Sequence, residues 1–471
     1  MQPRTGMHTL FSLKYLLPLI ILIEGFASIA VEILTIRQLL PVAGGSVIVT
    51  SLIIGIFLLF LALGYERGGH FESNLYPRLR RNFLMAAIGV GIGLSYVFVK
   101  QFFNAIEKVT GPHFIYALLL YLLIILAPAI YLLGQTLPIT MNIVRQDKLA
   151  GMIAGKALGI STIGSFLGAI FTTVILMQYI GVAWTVFIVF SVLMFLTLLL
   201  SESKRSLLIT GIIVIISGMI TFYMNIITEH KQFTLTDAYA NYAILTHENL
   251  PNMIPNSGKM LMINEVYSSY TDQNKNALPY VETIAKIIFD DLQLRNSNIL
   301  VLGAGGFTLS QNDAGLNHFT YVDIDSQLKK VVEPDFIPII KDTLIIDDAR
   351  HFLTKDNKKY NVIVIDVYSH IQSVPAYLIT REFMQVVKEH LNEKGGYAIF
   401  NIIANPLFND RYIKRVDNTI RSVFGSCTIT PIRYFNELSN LIYACSNLTD
   451  VSDHVIYTDN MNTSTTDSFA W

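Results

Sequence analysis

Glycines and acidic residues follow four short apolar runs in the second half of this chain, where they could bind a nucleoside. They are Gly303 and Gly305 after the first run, Asp323 at the end of the second, Asp347 and Asp348 after the third, and Asp366 after the fourth. Ligands of open α/β sheets bind beyond the carboxyl ends of the strands. Glycine permits a tight turn close to a ligand, and a carboxylate can accept hydrogen bonds from ribose hydroxyls. The pattern predicts a nucleoside site.

The same region indicates which nucleoside to expect. A dinucleotide fingerprint would have a third glycine where this chain has Thr308, and the Gly-Lys-Ser/Thr of a phosphate loop is missing. Carboxylates repel a phosphorylated ligand and attract a cation. S-adenosylmethionine and its decarboxylated form carry a sulfonium and no phosphate, so the charges favour them over NAD or ATP. A formal net charge of −1 gives no indication of nucleic-acid binding.

Strands alternate with helices around these residues. We predict strands at 298–302, 318–324, 343–346, 362–366 and 397–402, then an antiparallel pair at 427–433 and 441–445. Helices are expected at 280–292 and 380–391, and a small hairpin at 242–246 and 259–263. Such alternation is typical of a doubly wound parallel sheet, here an α/β Rossmann-like domain of the methyltransferase type.

The first half of the chain has a different composition. Overall 52% of residues are apolar and 15% are charged, and the charges are concentrated after residue 230. Runs long enough to cross a bilayer need about 20 apolar residues. We predict seven, at 15–37, 46–65, 82–99, 112–133, 152–178, 181–200 and 207–227. The sequence therefore predicts a multi-pass cell-membrane protein in contact with the lipid bilayer.

These patterns divide the chain into four parts. An N-terminal all-α transmembrane helix bundle spans 1–230, and a small hairpin and helix region spans 231–295. The Rossmann-like nucleoside-binding domain follows at 296–450, and a polar carboxyl-terminal tail occupies 451–471.

Polar and small residues in the predicted spans have structural or functional interpretations. Ionisable groups at bilayer depth are costly and usually face a bundle interior. Span one contains Glu24, Glu32 and Arg37, of which Glu24 lies nearest mid-span and could serve an amine or proton pathway. In span five, Gly151, Gly155 and Gly159 form one small face, and Gly164 and Gly168 form a second. Such faces let helices approach closely in lipid.

The charged loops predict a cytoplasmic amino terminus, because most Lys and Arg residues fall on that side of a seven-span arrangement. Seven crossings place the second half outside, whereas a nucleoside cofactor is expected in the cytosol. Either the short third span is miscounted or the second half lies outside.

Several motifs resemble the spermidine synthase (polyamine aminopropyltransferase) family in its membrane-fused form. They are Glu24 to Ala27, Leu133 to Pro138, Tyr280 with Glu282, Gly303 to Gly306, Val322 to Asp325, Asp348 to Arg350, and Asp366 to Ser369 with Pro375, Leu378, Thr380, Glu382 and Phe383. The chain departs from the family pattern at positions that include Gly306 and Ser369, both usually aspartate in the family.

The resemblance implies transfer of an aminopropyl group from decarboxylated S-adenosylmethionine to a small polyamine. It implies that Asp366 is the general base, and that Gly303, Gly305, Asp323, Asp348 and Glu282 bind the co-substrate. Tyr280 and Ser369 would bind the amine. It also implies a homodimer, as in soluble relatives.

Two other functions fit the sequence. One is an S-adenosylmethionine-dependent methyltransferase, in which Gln311 would bind the methionine carboxylate. The other is a transport or sensing protein that binds a nucleoside or amine without turnover.

The cysteines and histidines indicate no metal site. Cys427 and Cys445 lack metal-ligand spacing and are expected in the core, with a disulfide as an alternative only in an oxidising compartment. Among the dispersed histidines, His370 is the one possible site residue.

Overall fold

The computed structural model describes residues 13–44, 46–110, 114–144, 150–246, 258–314, 316–368, 374–447, 456–464 and 467. The chain divides into two compact units: Met1–Ala43 with Ile48–Ala240, and Gly44–Val47 with Asn241–Trp471. The division at Ala240 lies ten residues beyond the boundary expected at 230.

The first unit is helical. Its helices are α1 Leu13–Ala43, α2 Val47–Gly69, α3 Leu75–Gly93, α4 Tyr96–Thr110, α5 Phe114–Tyr121, α6 Ala127–Gly134, α7 Thr136–Val144, α8 Ala150–Ile170, α9 Gln178–Ile180, α10 Val182–Leu199, α11 Lys204–Phe222 and α12 Thr228–Gln232. Three π-helical segments, Leu122–Leu126, Phe171–Met177 and Tyr223–Ile227, connect α5 to α6, α8 to α9 and α11 to α12. The short strand β1, Leu235–Thr236, follows α12.

Six helical segments among the described residues are long and apolar enough to cross a membrane, and a bent pair would make a seventh. The predicted third span, at 82–99, is not one straight helix, because α3 and α4 meet at an angle of 73°. Ser95 stands at the break: its Oγ donates to the Ile92 carbonyl oxygen and accepts from the Phe98 amide. Ser95 thus caps the first turn of α4 and separates the two helices.

Glycines in α8 allow close packing against α1. A Cβ on Gly164 would lie 2.1 Å from the Leu22 carbonyl oxygen, and one on Gly168 would lie 2.4 Å from that of Phe26. The predicted second small face is therefore a helix contact. The first face is not: a Cβ on Gly151, Gly155 or Gly159 would meet no described atom within 4 Å.

The second unit begins with an antiparallel meander of β2 Asn241–Thr246, β3 Lys259–Ile263 and β4 Val266–Thr271. Asn264 and Glu265 form the two-residue turn between β3 and β4, both with positive φ. Asn264 Oδ1 also accepts from the Asn241 amide at 3.0 Å, which joins the turn to β2. Two consecutive positive φ angles match the twist of a tight hairpin.

A seven-stranded sheet forms the rest of this unit. Its strands are β5 Asn298–Leu302, β6 His318–Asp323, β7 Thr343–Ile346, β8 Val362–Ile365, β9 Tyr397–Ala404, β10 Cys427–Pro431 and β11 Ser439–Ser446. The helices are α13 Pro279–Lys286, continued by the π segment Ile287–Asp291, then α14 Leu328–Val332, α15 Ala349–Lys355, α16 Arg381–Glu389 and α17 Arg411–Phe424, with a 3₁₀ turn at Ala376–Leu378. The spatial order is β10-β11-β9-β8-β5-β6-β7, parallel from β9 to β7 and antiparallel at β10 and β11. The predicted Rossmann-like fold is confirmed.

The core explains why these runs are strands. Leu300, Ile363 and Phe400 of neighbouring strands are fully buried and pack with Phe383 of α16 and Ile420 of α17. Parallel strands covered on both faces are expected to be continuous apolar runs.

The antiparallel edge contains the two cysteines. Cys427 of β10 and Cys445 of β11 are register partners and form a disulfide. Cys445 is buried, as expected of a core residue. The two cysteines are also joined by a disulfide, which is the alternative that the sequence left open for an oxidising compartment.

The strand order creates a crevice. From β5 the chain continues to β6 and β7 on one side, and then crosses to β8 on the other. Ligands of open α/β sheets bind at such a switch point, beyond the carboxyl ends of the strands.

Candidate active site

The turn after β5 fits tightly against the end of β8. Gly303 has φ of +91°, and a Cβ there would lie 2.1 Å from the Asp366 carbonyl oxygen. The Gly306 amide donates to Ser269 Oγ at 2.8 Å. Only glycine fits at position 303, because any side chain would collide with backbone of the neighbouring strand end.

Asp323, at the end of β6, is bound to this turn. Its Oδ2 accepts from the Ala304 amide at 3.0 Å, and its Oδ1 accepts from the Asp325 amide at 3.0 Å. Burial raises the pKa of Asp323, and these amide hydrogen bonds oppose the shift. An ionised carboxylate has about four acceptor sites, so each oxygen retains capacity for a ribose hydroxyl.

Asp366 follows β8 and lines the cavity beside Gly303. Its Oδ1 accepts from Asn401 Nδ2 at 2.8 Å. Burial raises the pKa of Asp366, while hydrogen bonds from Asn401 and Tyr280 lower it. A role as helix cap does not describe it, because Thr380 Oγ1 caps α16 by accepting from the Phe383 amide. Asp366 is therefore placed to exchange a proton with a group in the cavity.

The Tyr280 hydroxyl, from the first turn of α13, also lines this cavity. It lies between the Ser268 carbonyl oxygen, at 2.9 Å, and the Asp366 carboxylate. Burial raises the pKa of Tyr280 well above its ordinary value, so the hydroxyl keeps its proton. One proton serves one acceptor at a time. Tyr280 can donate to ionised Asp366 and, once Asp366 is protonated, can accept from it while donating to Ser268.

Asn401 is a residue that sequence reasoning missed. It lies buried in β9, and its Oδ1 accepts from Asn440 Nδ2 of β11 at 2.9 Å. The Asn440 contact fixes the amide so that Nδ2 faces Asp366. Tyr368 holds the same strand end: its hydroxyl donates to the Asn401 carbonyl oxygen and accepts from the Ile403 amide, both at 2.8 Å. The sequence signal that could have identified Asn401 is a polar residue within an otherwise apolar strand.

Three predicted co-substrate ligands, Asp323, Asp348 and Glu282, lie outside the cavity lining, and only Asp323 of these is bound to the glycine turn. Asp348 caps α15: its Oδ1 accepts from the Arg350 and His351 amides, each at 3.0 Å, and its Oδ2 accepts from the Tyr377 hydroxyl at 2.6 Å. Glu282 is exposed, and its Oε1 accepts from the Ala277 amide at 3.2 Å. The Asp348 and Glu282 carboxylates are therefore both hydrogen-bonded to neighbouring residues of the protein. Ser369 and His370 lie outside the described residues.

The three ionisable candidates of the first unit are all in α1. Glu24 is 1% exposed, with Oε1 accepting from Ser28 Oγ at 2.7 Å and Oε2 without a hydrogen-bond partner among the described residues. Arg37 donates through Nε to the Asp237 carbonyl oxygen at 2.6 Å. Glu32 is half-buried. The structure gives Arg37 a structural contact and leaves a function of Glu24 as a prediction.

Residues 278–453 match the sequence model of the spermine/spermidine synthase domain. The second unit therefore contains a region similar to the spermine/spermidine synthase domain. The match contains Tyr280, the glycine turn, Asp323, Asp366 and Asn401. It leaves out the helical unit, so likeness to a membrane-fused form remains a prediction.

Individual relatives are less than 30% identical to this chain over the aligned residues. A polyamine aminopropyltransferase of Saccharolobus solfataricus is 28% identical over 200 residues, and one of Sulfolobus acidocaldarius is 29% identical over 201. Each alignment covers 40% of this chain and 64% of the relative's length. A probable spermidine synthase from Corynebacterium glutamicum of known structure is 22% identical, with a TM-score of 0.39 over 45% of this chain and 79% of that one.

Proposed function

We propose that this protein is an aminopropyltransferase that uses decarboxylated S-adenosylmethionine and a small di- or polyamine. The observation that carries the proposal is the Asp366 carboxylate, held by Asn401 and Tyr280 in a cavity against the Gly303 turn. The similarity to the spermine/spermidine synthase domain and the names of the relatives support the same chemistry.

The chemistry asks little of the protein beyond position and one proton transfer. An alkylamine has a pKa near 10.4, like lysine, and must lose a proton before it can attack. Asp366 accepts that proton, and the amine nitrogen bonds to the aminopropyl carbon that is attached to sulfur. The bond between that carbon and sulfur breaks and leaves a neutral thioether. Placing the two reactants together supplies much of the acceleration.

The co-substrate would lie along the edge from β6 to β8. Asp323 accepts hydrogen bonds from the ribose, and Gly303 and Gly305 allow the backbone to approach the ligand. The sulfonium is attracted by Asp323 and Asp366, two carboxylates that would repel a phosphate.

The helical unit would hold this domain at the lipid bilayer, with the amino terminus in the cytoplasm. The six apolar segments and the charge bias of their loops support this arrangement. The side of the second unit depends on whether the bent pair of α3 and α4 crosses. The disulfide favours an oxidising compartment, in which case the co-substrate must be available there. A side-specific reporter fused to the carboxyl terminus tests the arrangement.

The test of activity uses purified full-length protein with decarboxylated S-adenosylmethionine and putrescine or spermidine. We expect an amine product heavier by one aminopropyl group, seen by mass spectrometry, and no product from Asp366→Asn. Binding of a phosphorylated nucleotide, with no affinity for either sulfonium compound, would contradict the proposal.

A methyltransferase is the second candidate, favoured by the surroundings of Gln311. Lys275 Nζ donates to the Gln311 carbonyl oxygen at 3.1 Å, and Gln311 Oε1 accepts from Thr271 Oγ1 at 2.8 Å. A lysine and an amide nitrogen near the glycine turn suit the carboxylate that S-adenosylmethionine retains. Methylated product from S-adenosylmethionine, with none from the decarboxylated compound, would select this candidate.

A further inference from the structure

Residues 456–464, here called the carboxyl-terminal strap, bind the α15 side of the sheet edge. Asp459 forms a bidentate pair with Arg350, with NH1 to Oδ1 at 2.9 Å and NH2 to Oδ2 at 2.6 Å. The same Arg350 NH1 donates to the Tyr377 carbonyl oxygen at 3.0 Å. Two parallel hydrogen bonds fix the direction of the guanidinium as well as its distance. The sequence predicted only a polar tail here.

The strap also holds the segment that leads into α16. Asn462 Nδ2 donates to the Ala376 carbonyl oxygen at 2.6 Å, and the Arg381 amide donates to the Tyr457 carbonyl oxygen at 3.0 Å. The Asp459 amide donates to Glu382 Oε2 at 2.9 Å. The first amides of a helix have no partner within the helix, and the strap supplies one for α16. These contacts hold backbone as well as side chains.

The strap itself is anchored on α17. Tyr457 is 1% exposed, its amide donates to Thr419 Oγ1 at 2.9 Å, and its hydroxyl donates to Asp467 Oδ2 at 3.0 Å. Arg415 NH1 pairs with the same Asp467 oxygen at 2.8 Å. The strap therefore connects a helix of the core to the 376–382 segment.

Tyr377 carries this connection to Asp348, which the family resemblance puts at the nucleobase end of the site. Arg350 holds its carbonyl oxygen, and its hydroxyl donates to Asp348 Oδ2 at 2.6 Å. Among the described residues, none of the strap's hydrogen-bond partners lines the cavity, including Arg350, Ala376, Arg381, Glu382, Thr419, Arg415 and Asp467. The strap is thus placed to position the edge of the site and not to block it.

We propose that the carboxyl-terminal strap is a clasp that holds the 376–382 segment against the amino end of α15, with Asp459 and Arg350 as positioning residues. The clasp preorganises the nucleobase end of the site, so less ordering remains to be done when a nucleoside binds. Its effect on ligand binding rests on the proposed use of an S-adenosyl compound.

The test compares full-length wild type, Asp459→Asn and Asp459→Glu in detergent. Amide hydrogen exchange without ligand should be faster in 376–382 of Asp459→Asn, and near wild type in Asp459→Glu, which keeps a carboxylate. Calorimetry with decarboxylated S-adenosylmethionine should give a Kd raised about five-fold in Asp459→Asn, the size expected for one partly exposed charge pair. In turnover, KM should rise and kcat should change little.

Arg411→Gln is the matched control, because Arg411 is exposed and its nitrogen lies 3.7 Å from Asp467. It should leave both exchange and Kd unchanged. Unchanged exchange in Asp459→Asn overturns the clasp, and faster exchange with unchanged Kd overturns its role in binding. If wild type binds neither sulfonium compound, the proposed function fails and the binding role fails with it, while exchange still decides whether the strap holds the segment.

Discussion

Asp366 and Asp348 both follow a strand of the same sheet, yet the structure uses them differently. Asp366 receives hydrogen bonds from two side chains, Asn401 and Tyr280, and lines the cavity. Asp348 receives two backbone amides of α15 and the Tyr377 hydroxyl, and lies outside the cavity lining. One carboxylate lines the cavity, and the other stabilises the helix beside it.

The difference follows from where the next helix begins. Asp348 directly precedes α15, so its side chain reaches the unpaired amides of the first turn. Asp366 lies 14 residues before Thr380, the cap of α16, which is the next α-helix among the described residues. Distance along the chain to the next helix thus separates a capping carboxylate from one that is available to a ligand.

The largest expected effect is a loss of turnover in Asp366→Asn, which tests this difference directly. Removal of a general base typically lowers kcat by about 100- to 10,000-fold, and we expect a loss in that range together with a weaker co-substrate Kd, because the charge that attracts the sulfonium is also removed. Asp348→Asn is the matched control, because asparagine also caps helices. A greater loss of kcat in Asp348→Asn than in Asp366→Asn would reverse the comparison.

Much of the large sheet could be predicted because its inner strands, such as β5 and β8, are buried on both faces. The predicted bounds at 298–302 and 343–346 agree with β5 and β7. The glycine turn and Asp366 could be placed because the carboxyl ends of parallel strands share one edge. Here sequence pattern and tertiary structure follow the same physical rule.

Other features depend on contacts that no local pattern reveals. Asn401 reaches Asp366 only because β8 and β9 are neighbours. The strap residue Asp459 pairs with Arg350, 109 residues away. The break at Ser95 lies inside an apolar run, where mean hydropathy cannot register a single capping hydroxyl. These are tertiary or single-residue effects, so periodicity did not find them.

Gly303→Ala should be the next largest perturbation, because a Cβ would lie 2.1 Å from the Asp366 carbonyl oxygen at a φ of +91°. A left-handed conformation alone costs an alanine about 1–2 kcal/mol, and the collision adds to that while displacing Asp366. We expect at least a roughly ten-fold weaker Kd for the co-substrate. Gly395→Ala is the control: its φ is +75°, but a Cβ there meets no atom within 4 Å. It should lower thermal stability and leave Kd alone, and equal effects of the two variants on Kd would contradict the tight fit.

Asn401→Leu should change the pH dependence. Burial raises the pKa of Asp366 and the Asn401 hydrogen bond lowers it, so losing the amide raises the pKa further. A base must be ionised to act, and the acid limb of kcat/KM should therefore move to higher pH. Hydrogen bonds to charged groups contribute about 1.5–3 kcal/mol, so kcat/KM on that limb should fall by at least about ten-fold and recover as the pH rises. A uniform fall at every pH would show that Asn401 supports the strand and does not tune Asp366.

The smallest expected effect distinguishes two roles for Asp348, capping of α15 and binding of the co-substrate. Loss of a capping side chain costs about 0.5–2 kcal/mol, so Asp348→Ala should lower the free energy of unfolding by about 1 kcal/mol, whereas Asp348→Asn should stay near wild type. Chemical denaturation of the full-length protein, followed by a probe in the second unit, measures both variants. If the Asp348 carboxylate binds the nucleobase, a second assay should show a raised co-substrate Kd in Asp348→Asn despite its normal stability. Normal stability together with normal Kd in that variant would leave Asp348 as a cap, and the carboxylates that face the ligand would be Asp323 and Asp366.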